Sequence, residues 1–432
     1  MWKFGAKSHY IRELSGLEEG TKVKISGWVH RKSELGGIVF IRVRDSSGSV
    51  QVVVKEGEVS ERELELARNI GIEASLIVEG SLRRDPRAPS GVEVIASSIR
   101  SVGDSKDFPI KPGVSEEFLL DNRHLYIRST KMRSALLVRR EVMRATEEWF
   151  TMNGFVRIEA PTFVGAAVEG GATLFQVPYF GRKAYLTQSS QFYLEAAIFA
   201  FENVYTIQPS FRAEKSRTRR HLTEFWHAEA EMAWADLSGM MDVVESLIKY
   251  IVEKTVERAS EALEVLGRKL EPIDGSFPRI TYDEALEIAR KKGVEIEWGE
   301  DFGTEAERAI SLEFDLPVFV THYPKKAKAF YHKPDPRRPE VVLCADLLAP
   351  EGIGEIVGGG QRIDSEEELL ARIREEGLDP ADYGWYIDLR RYGSVPHSGF
   401  GLGIERTVRW IAGLPHIRDA IPFPRTPTRL YP

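Results

Sequence analysis

The amino-acid sequence predicts an α+β fold in which a small β-barrel is followed by a larger domain of helices and strands. Between residues 22 and 100, apolar and polar residues alternate in short segments that turns separate, which is the pattern of half-buried strands. Five such segments with one helical stretch among them are typical of a closed barrel that binds oligonucleotides. A chain of 432 residues is long enough for at least one further domain.

The elements of the barrel follow from this alternation. We expect strands over residues 23–29, 39–43, 50–54, 76–80 and 92–96, with a helix over 61–69. Residues 106–130 are mostly polar and contain Pro109 and Pro112. They are therefore expected to link a barrel at residues 1–105 to a second domain at residues 131–432.

A long helix opens the second domain, because apolar residues recur at the spacing of one helical face from Arg133 to Phe150. Asn153 and Gly154 are expected to end this helix. The remaining pattern predicts strands near 155–164, 184–188, 203–214, 223–234 and 340–358, helices near 237–264, and a glycine-rich strand that runs into a helix over 399–412.

Composition and charge exclude several classes of protein. The sequence has no apolar run of about 18 residues that could span a bilayer. Cys344 is the only cysteine, so neither disulfides nor a cysteine zinc site is expected. The stretch Met1 to Tyr10 lacks the apolar core of a signal peptide, which predicts a cytoplasmic protein. The net charge is −7, so contacts with nucleic acid must use local basic patches.

The second predicted strand of the barrel has a pattern suited to RNA. Side chains alternate between the two faces of a strand, so Phe40, Arg42 and Arg44 share the face opposite the aliphatic residues. An aromatic ring can stack on a base, and arginines can neutralise phosphates. Gln51 on the next strand could read a base edge. The alternative, in which Phe40 only packs and the arginines form a solvated face, stays open.

Three segments of the second domain carry chemistry-bearing residues. The first, Gly154–Pro161, indicates by itself only a turn and a strand. The second, residues 211–225, takes a predicted strand into a basic loop. Arg212 and Glu214 are expected to share a face of that strand, which would place a cation for a phosphate beside an acceptor for an amino group. A solvated hairpin with ion pairs would explain this segment equally well.

The third segment, Gly399–Arg406, combines glycines that let a flat ligand approach the backbone with an arginine that can reach a phosphate. Its glycine spacing differs from the dinucleotide-binding pattern, and no strand–helix–strand unit follows. Asp346 and Glu355 supply hard oxygen ligands that could hold magnesium on ATP phosphates. Either acid alone would more often be a surface carboxylate.

Together the three segments resemble the signature motifs of class II aminoacyl-tRNA synthetases, specifically the aspartate, asparagine and lysine subgroup. The resemblance extends from Arg123-His124-Leu125 to the C-terminal stretch Phe423–Pro432. It implies an N-terminal OB-fold that binds the anticodon and a C-terminal class II domain with an antiparallel sheet flanked by helices. It also implies a homodimeric enzyme that activates an amino acid with ATP and Mg²⁺ and transfers it to tRNA.

The same resemblance implies roles for individual residues. The implied ATP-binding residues are Arg212, Glu214, Arg220, His221, Leu222, Phe225, Glu355, Gly401, Gly403 and Arg406, among which Arg212, Glu355 and Arg406 are catalytic. The implied magnesium ligands are Asp346 and Glu355. The implied amino-acid-binding residues are Glu169, Ser189, Gln191, Glu195, Arg212, Glu229 and Arg362, with Glu169 and Glu229 receiving the α-ammonium group. The implied anticodon-reading residues are Arg31, Phe40, Arg42 and Gln51.

Asparagine is the amino acid that the residues favour. Members of the subgroup that charge aspartate typically carry Ser-Pro in place of Ser189-Ser190 and a lysine at the position of Leu194. Glu195 is expected to accept hydrogen bonds from the amide NH₂ of asparagine and to repel aspartate, while Arg362 donates to the amide carbonyl. The expected partners are therefore ATP, L-asparagine and tRNA(Asn), without a membrane.

Features of the sequence argue against three other functions. Leu194 and Glu195 argue against an aspartate-charging enzyme of relaxed specificity. The N-terminal barrel argues against an asparagine synthetase derived from the same fold, because such relatives lack it. Arg212, Glu355 and Arg406 argue against a catalytically inactive tRNA-binding protein, because they retain the expected catalytic chemistry.

Overall fold

The computed structural model describes residues 3–165, 173–215 and 219–432. The chain divides into two units, of which the first ends at Glu116 and the second begins at Glu117. Two short helices fold within the segment expected to be a linker. No helix among the described residues combines the length and the apolar character needed to cross a membrane.

The first unit is built around a closed barrel. Its strands are β1 (Lys22–Leu35), β2 (Ile38–Arg44), β3 (Ser49–Val54), β4 (Ser75–Arg84) and β5 (Val92–Gly103), with α1 (Glu61–Asn69) between β3 and β4. The barrel closes in the order β1-β2-β3-β5-β4, with a parallel pair β3/β5 and antiparallel neighbours elsewhere. This architecture confirms the predicted five-stranded barrel.

The alternation that predicted β2 is present, with one exception. Val39, Ile41 and Val43 are completely buried in the barrel core, whereas Phe40 and Arg42 are partly exposed. Arg44 was expected on the same outer face. It does lie on that face of the strand but is buried there, where its guanidinium pairs with the buried carboxylate of Glu73, with Nη2 2.7 Å from Oε2. Because it is buried, this guanidinium is not available to a phosphate.

The second unit contains the remaining elements. Its helices are α2 (Glu116–Asp121), α3 (Arg123–Tyr126), α4 (Thr130–Met152), α5 (Gln191–Phe201), α6 (Leu237–Arg258), α7 (Ser260–Val265), α8 (Tyr282–Lys291), α9 (Thr304–Ser311), α10 (Glu366–Glu375), α11 (Gly384–Arg391) and α12 (Ile404–Ile411). Its strands are β6 (Val156–Arg157), β7 (Phe163–Val164), β8 (Gln176–Tyr179), β9 (Arg182–Leu186), β10 (Asn203–Phe211), β11 (Glu224–Ala233), β12 (Arg279–Thr281), β13 (Val318–Thr321), β14 (Pro334–Asp335), β15 (Arg338–Val342), β16 (Cys344–Ala349), β17 (Gly354–Gln361) and β18 (His397–Gly403).

An eight-stranded sheet organises the second unit. Its order is β12-β13-β16-β17-β18-β11-β10-β6. The central strands pair antiparallel, and the pairs β12/β13 and β10/β6 at the two edges are parallel. The predicted antiparallel sheet flanked by helices is therefore confirmed.

Helices cover one face of this sheet and leave the other face for the site. Residues of α4, α6 and α12 form one core with Phe400 and Leu402 of β18 and Ala228 and Ala230 of β11. Phe150 of α4 stacks on the sheet, with its ring 4.5 Å from that of Tyr205. Because strand side chains alternate, the residues between these core positions must lie on the opposite face.

Candidate active site

The open face of the sheet places polar side chains opposite glycines. On β11, His227, Glu229 and Glu231 alternate with the core alanines, and Glu229 lies opposite Gly401 of β18. A Cβ atom on Gly401 would lie 2.9 Å from Nε2 of His227. The glycine is therefore required for the imidazole to lie against the backbone of β18.

All ten residues that the resemblance implied for ATP binding line one cleft on this face. They are Arg212, Glu214, Arg220, His221, Leu222, Phe225, Glu355, Gly401, Gly403 and Arg406. One structural expectation about them was wrong: β10 ends at Phe211, so Arg212 and Glu214 lie in the following loop and not on a strand. The loop still brings both side chains to the cleft.

Arg212 and Phe225 form one wall of the cleft. The guanidinium of Arg212 lies 5.4 Å from the centre of the Phe225 ring, and the Arg212 amide donates to the carbonyl of Thr223 at 3.0 Å. A cation that is fixed beside an aromatic face suits a ligand with both a planar base and a phosphate.

Arg406 and Glu355 form the opposite side. Arg406 Nη1 donates to Glu355 Oε2 at 2.8 Å and to the Glu355 carbonyl at 3.0 Å. Burial opposes ionisation of Glu355, but Arg406 and Lys328 outweigh burial and hold its pKa at about 2. The carboxylate is therefore charged at neutral pH.

The surroundings of His221 and Arg220 indicate a positive electrostatic potential in the cleft. Burial and the cations Arg406 and Arg220 lower the pKa of His221 to about 4, so its imidazole is neutral near pH 7. Arg220 is held by the buried carboxylate of Glu307 on α9, with Nη2 2.6 Å from Oε1. The cleft thus favours an anionic ligand.

A second pocket adjoins the cleft implied for ATP. Arg212, His227, Glu355 and Gly401 line both spaces, so the two are continuous. Five of the residues implied for the amino acid border this second pocket: Ser189, Gln191, Arg212, Glu229 and Arg362. Glu169 and the segments 166–172 and 216–218 lie outside the described residues.

Glu229 is fixed at the base of the second pocket. Its Oε2 accepts from the backbone amide of Ser190 at 2.8 Å, and its Oε1 accepts from the hydroxyl of Ser189. The residue is 4% exposed. These bonds hold an acceptor group in a set orientation before any ligand arrives.

Sequence reasoning missed Glu231, which also borders this pocket. Arg362 Nη2 donates to Glu231 Oε1 at 2.6 Å, and both side chains are almost fully buried. Burial raises the pKa of Glu231, and the nearby Glu195 adds to this effect against the opposing charge of Arg362. The signal was available, since Glu231 is two residues from Glu229 and so must share its strand face.

Glu195 occupies a different place from the one expected. It is fully buried and does not border the pocket among the described residues. Its carboxylate instead accepts from Tyr386, Arg390, His397 and Gln191. This position does not support direct contact between Glu195 and a ligand in the pocket, because its side chain is completely inaccessible to solvent and bonded to other side chains.

Asp346 and Glu355 lie around a space that a glycine keeps open. A Cβ atom on Gly358 would lie 3.0 Å from Glu355 Oε1 and 3.4 Å from Asp346 Oδ1. Lys328 Nζ donates to the other oxygen of Asp346 at 2.6 Å. Within the described part of the chain, no three His, Cys, Asp or Glu side chains are placed to hold a metal. The two carboxylates fit a cation that takes most of its oxygens from a ligand or water.

The outer face of the barrel carries the residues implied for the anticodon. Arg31 is exposed, and Phe40 is partly exposed. Arg42 Nε donates to Ser49 Oγ at 3.0 Å, and Gln51 Nε2 donates to Glu93 Oε2 at 2.9 Å.

The sequence reasoning also missed an aromatic residue on this face. Trp28 is 43% exposed, and it lies opposite Arg44 in the β1/β2 register. It therefore shares a face with Phe40, so two rings are available for bases.

The fold and the site define a class II tRNA synthetase. Residues 115–427 match the family "tRNA synthetases class II (D, K and N)", and residues 23–102 match "OB-fold nucleic acid binding domain". The chain belongs to this class II family, and its predicted membership is confirmed.

Comparison with individual proteins shows which members of this class the chain is similar to. The chain is 53% identical to the asparagine–tRNA ligase of Thermococcus gammatolerans, in an alignment that covers 98% of this chain and 99% of the relative. It is 51% identical to the asparagine–tRNA ligase of Pyrococcus furiosus with the same coverage of both chains. The crystal structure of asparaginyl-tRNA synthetase from Pyrococcus horikoshii complexed with asparaginyl-adenylate matches with a TM-score of 0.95 and 50% identity, over 98% of this chain and 99% of that chain.

Proposed function

We propose that this enzyme activates L-asparagine with ATP and transfers it to tRNA(Asn). The observation that carries the proposal is the continuity of the nucleotide cleft and the amino-acid pocket at Arg212. A residue common to both spaces can contact the two groups that react. High identity to asparagine–tRNA ligases over the whole chain supports the choice of substrate.

The first step needs alignment more than acid or base chemistry. A carboxylate oxygen of asparagine attacks the α-phosphorus of ATP, the bond to the pyrophosphate oxygen breaks, and asparaginyl-adenylate forms. Arg212 neutralises the carboxylate and the α-phosphate as they approach, which lowers their repulsion. Phe225 offers a stacking face for adenine, and Arg406 neutralises the outer phosphates. In the second step a terminal ribose hydroxyl of tRNA attacks the activated carbonyl, and AMP leaves.

Magnesium fits the two carboxylates beside Gly358. Asp346 and Glu355 would hold it together with oxygens of ATP, as is usual for this ion. When bound, the ion supplies charge neutralisation on the phosphates. Glu355 remains ionised at neutral pH, so its carboxylate can bind the ion without first losing a proton.

The charges of the amino-acid pocket favour an amide over a carboxylate. Glu229 and Glu231 border it, and Arg362 already has Glu231 as its counter-ion. Aspartate would bring a further negative charge into this buried group, at a cost of several kcal/mol. Asparagine has a neutral side chain whose NH₂ group can donate to a carboxylate.

We further infer that the enzyme is a homodimer that works in the cytoplasm. β6 lies at one edge of the eight-stranded sheet. Near it in the sequence, Met152 is 63% exposed and Phe163 is 54% exposed. An exposed strand edge with apolar neighbours is suited to pairing with a second copy of the chain.

Exchange of labelled pyrophosphate into ATP tests the proposed activation step. We expect exchange with asparagine, little exchange with aspartate, and loss of exchange when a chelator removes magnesium. The variant Arg406→Met should lose exchange, while its circular dichroism spectrum should match that of the unmodified enzyme and so show an intact fold. Equal exchange with aspartate would refute the choice of substrate.

A further inference from the structure

A group of four buried polar residues lies behind the amino-acid pocket. The group consists of Glu195 on α5, Tyr386 and Arg390 on α11, and His397 at the start of β18, and we call it the Glu195 cluster. The side chains of Glu195, Arg390 and His397 are completely inaccessible to solvent, as is Tyr386. Full burial of so many polar groups requires that they bond to one another.

The cluster makes Glu195 a pure hydrogen-bond acceptor. The hydroxyl of Tyr386 donates to both carboxylate oxygens at 2.8 Å. Arg390 Nη2 donates to Oε2 at 2.5 Å, and His397 Nε2 lies 2.9 Å from the same oxygen. Burial opposes ionisation, but Arg390 and His397 outweigh it and hold the pKa of Glu195 below its usual range. An ionised carboxylate has no hydrogen to donate.

This acceptor fixes the orientation of Gln191, which borders the pocket. Gln191 Nε2 donates to Glu195 Oε1 at 2.9 Å, across one turn of α5. If the amide turned over, its carbonyl oxygen would lie against a carboxylate, and two acceptors would repel each other. Over residues 3–165, 173–215 and 219–432, no group donates a hydrogen bond to Gln191 Oε1. That oxygen is therefore left to accept from a ligand.

The cluster also holds the backbone on both sides of Arg362. The amide of Arg362 donates to the carbonyl of His397 at 2.9 Å. Arg390 Nε donates to the carbonyl of the next residue, Ile363, at 2.8 Å. Within the cluster, Glu195 thus anchors Gln191, while Arg390 and the backbone of His397 hold the chain around Arg362. Gln191 and Arg362 both border the pocket.

We propose that Glu195 and Arg390 are positioning residues for amino-acid recognition, which fix Gln191 with its carbonyl oxygen presented to an N–H group of the substrate. The inference rests on the proposed function. Asparagine has two kinds of N–H group, the α-ammonium and the side-chain amide, and aspartate shares only the first. An effect on both amino acids identifies the α-ammonium as the donor, whereas an effect on asparagine alone identifies the amide.

A double-mutant cycle between Glu195 and Gln191 tests this proposal. Glu195→Gln replaces the carboxylate with an amide, which can donate as well as accept and so no longer fixes the orientation of Gln191. KM for asparagine in pyrophosphate exchange should therefore rise about tenfold, the value of one hydrogen bond. Gln191→Met should raise it by a similar factor. The double variant should match Gln191→Met within about twofold, because Glu195 acts only through Gln191. KM for ATP should stay unchanged in all variants.

Loss of the Glu195 charge leaves Arg390 buried without a counter-ion, which can prevent folding. Glu195→Gln combined with Arg390→Met removes both charges and gives a second variant. Its KM for asparagine should rise by at least the same factor, because it also loses the bond from Arg390 to the Ile363 carbonyl. Tyr386→Phe is the matched control, because it loses a bond to Glu195 without touching Gln191. It should lower the melting temperature without changing KM for asparagine.

Three results would overturn the inference. They are an unchanged KM for asparagine in a folded Glu195 variant, effects of Glu195 and Gln191 that multiply in the double variant, and a parallel rise in KM for ATP. Failure of the proposed function would be visible separately, because the unmodified enzyme would then show no exchange with asparagine.

Discussion

At the scale of single residues, the cleft depends on a few side chains whose surroundings set their chemistry. Phe225 supplies an apolar face, and Arg212 lies 5.4 Å from its ring centre as a cation. Arg406 and Glu355 oppose them as a bonded pair. A planar base and a chain of phosphates need both kinds of contact at once. Phe225 lines only the nucleotide cleft, so its loss is expected to affect ATP and not asparagine, whereas Arg212 lines both spaces and is expected to affect both substrates.

Phe225→Ala should weaken ATP binding by about 1–3 kcal/mol, the usual contribution of one stacked base. The reason is the loss of the flat apolar face, because the adjacent cations remain. KM for ATP in pyrophosphate exchange measures the effect, and KM for asparagine should not change. Phe225→Tyr keeps the ring and serves as the control. A larger effect on asparagine than on ATP would contradict the stacking role.

The sequence predicts single residues well where a local motif carries them. The segment from Arg212 to Phe225 is such a motif, and the six implied ATP-binding residues within it line one cleft together with the other four. The buried surroundings of Glu195 were not predicted, because its partner Arg390 is 195 positions away and no local pattern joins them. The burial of Arg44 was not predicted for the same reason, because its partner Glu73 is 29 positions away in the sequence.

At the scale of elements, β18 shows how glycine spacing shapes the site. Phe400 and Leu402 enter the core, and the glycines that alternate with them, Gly399, Gly401 and Gly403, lie on the opposite face of the strand. A Cβ atom on Gly399 would lie 2.0 Å from Glu231 Oε1 and 2.4 Å from the carbonyl of Ala230. At Gly403 the nearest atom would be 3.6 Å away. The two glycines therefore differ sharply in the space around them.

Gly399→Ala should destabilise the protein by about 1–3 kcal/mol, the usual cost of adding atoms to a packed region. It should also displace Glu231 and so disturb Arg362. Gly403→Ala adds the same methyl group where there is room, and should change stability by less than about 0.5 kcal/mol. Thermal melting of the two variants side by side measures the difference. Equal melting temperatures would show that β18 adjusts without cost.

The elements themselves were predicted where periodicity was strong. Alternation located the strands of the barrel, and the apolar face of α4 was recognised from its spacing. The end of β10 was missed, because Arg212 and Glu214 continue an alternating pattern after pairing with β11 has stopped at Phe211. Strand pairing depends on the partner strand, so a single segment cannot reveal where it ends.

At the scale of the whole molecule, each of the two units is expected to perform a different part of the reaction. The second unit contains the cleft and the amino-acid pocket, and the first carries Phe40 and Trp28 on the outer face of its barrel. In the proposed function, activation of asparagine is expected to use the second unit, and selection of tRNA is expected to draw on the first.

Phe40→Ala should therefore weaken aminoacylation and leave activation intact. Loss of one stacked base should lower kcat/KM for tRNA by the factor that corresponds to a free energy of about 1–3 kcal/mol. Pyrophosphate exchange without tRNA is the internal control and should match that of the unmodified enzyme. A parallel loss in both assays would show that Phe40 supports the fold of the barrel and does not read a base.

The edge of the sheet at β6 predicts a homodimer. Light scattering at micromolar concentration should give twice the 48.8 kDa of one chain. Met152→Glu combined with Phe163→Glu should shift the mass toward that of one chain, because each change buries a charge in the proposed interface. A single-chain mass for the unmodified protein would rule out this assembly.

Aminoacylation of a tRNA(Asn) transcript with labelled asparagine or labelled aspartate tests the central claim most directly. The account predicts stable attachment of asparagine, with kcat/KM for aspartate lower by a factor on the order of 10⁴, because the pocket binds polar groups that aspartate cannot match. Comparable charging with aspartate, or no charging with either amino acid by folded enzyme, would contradict it.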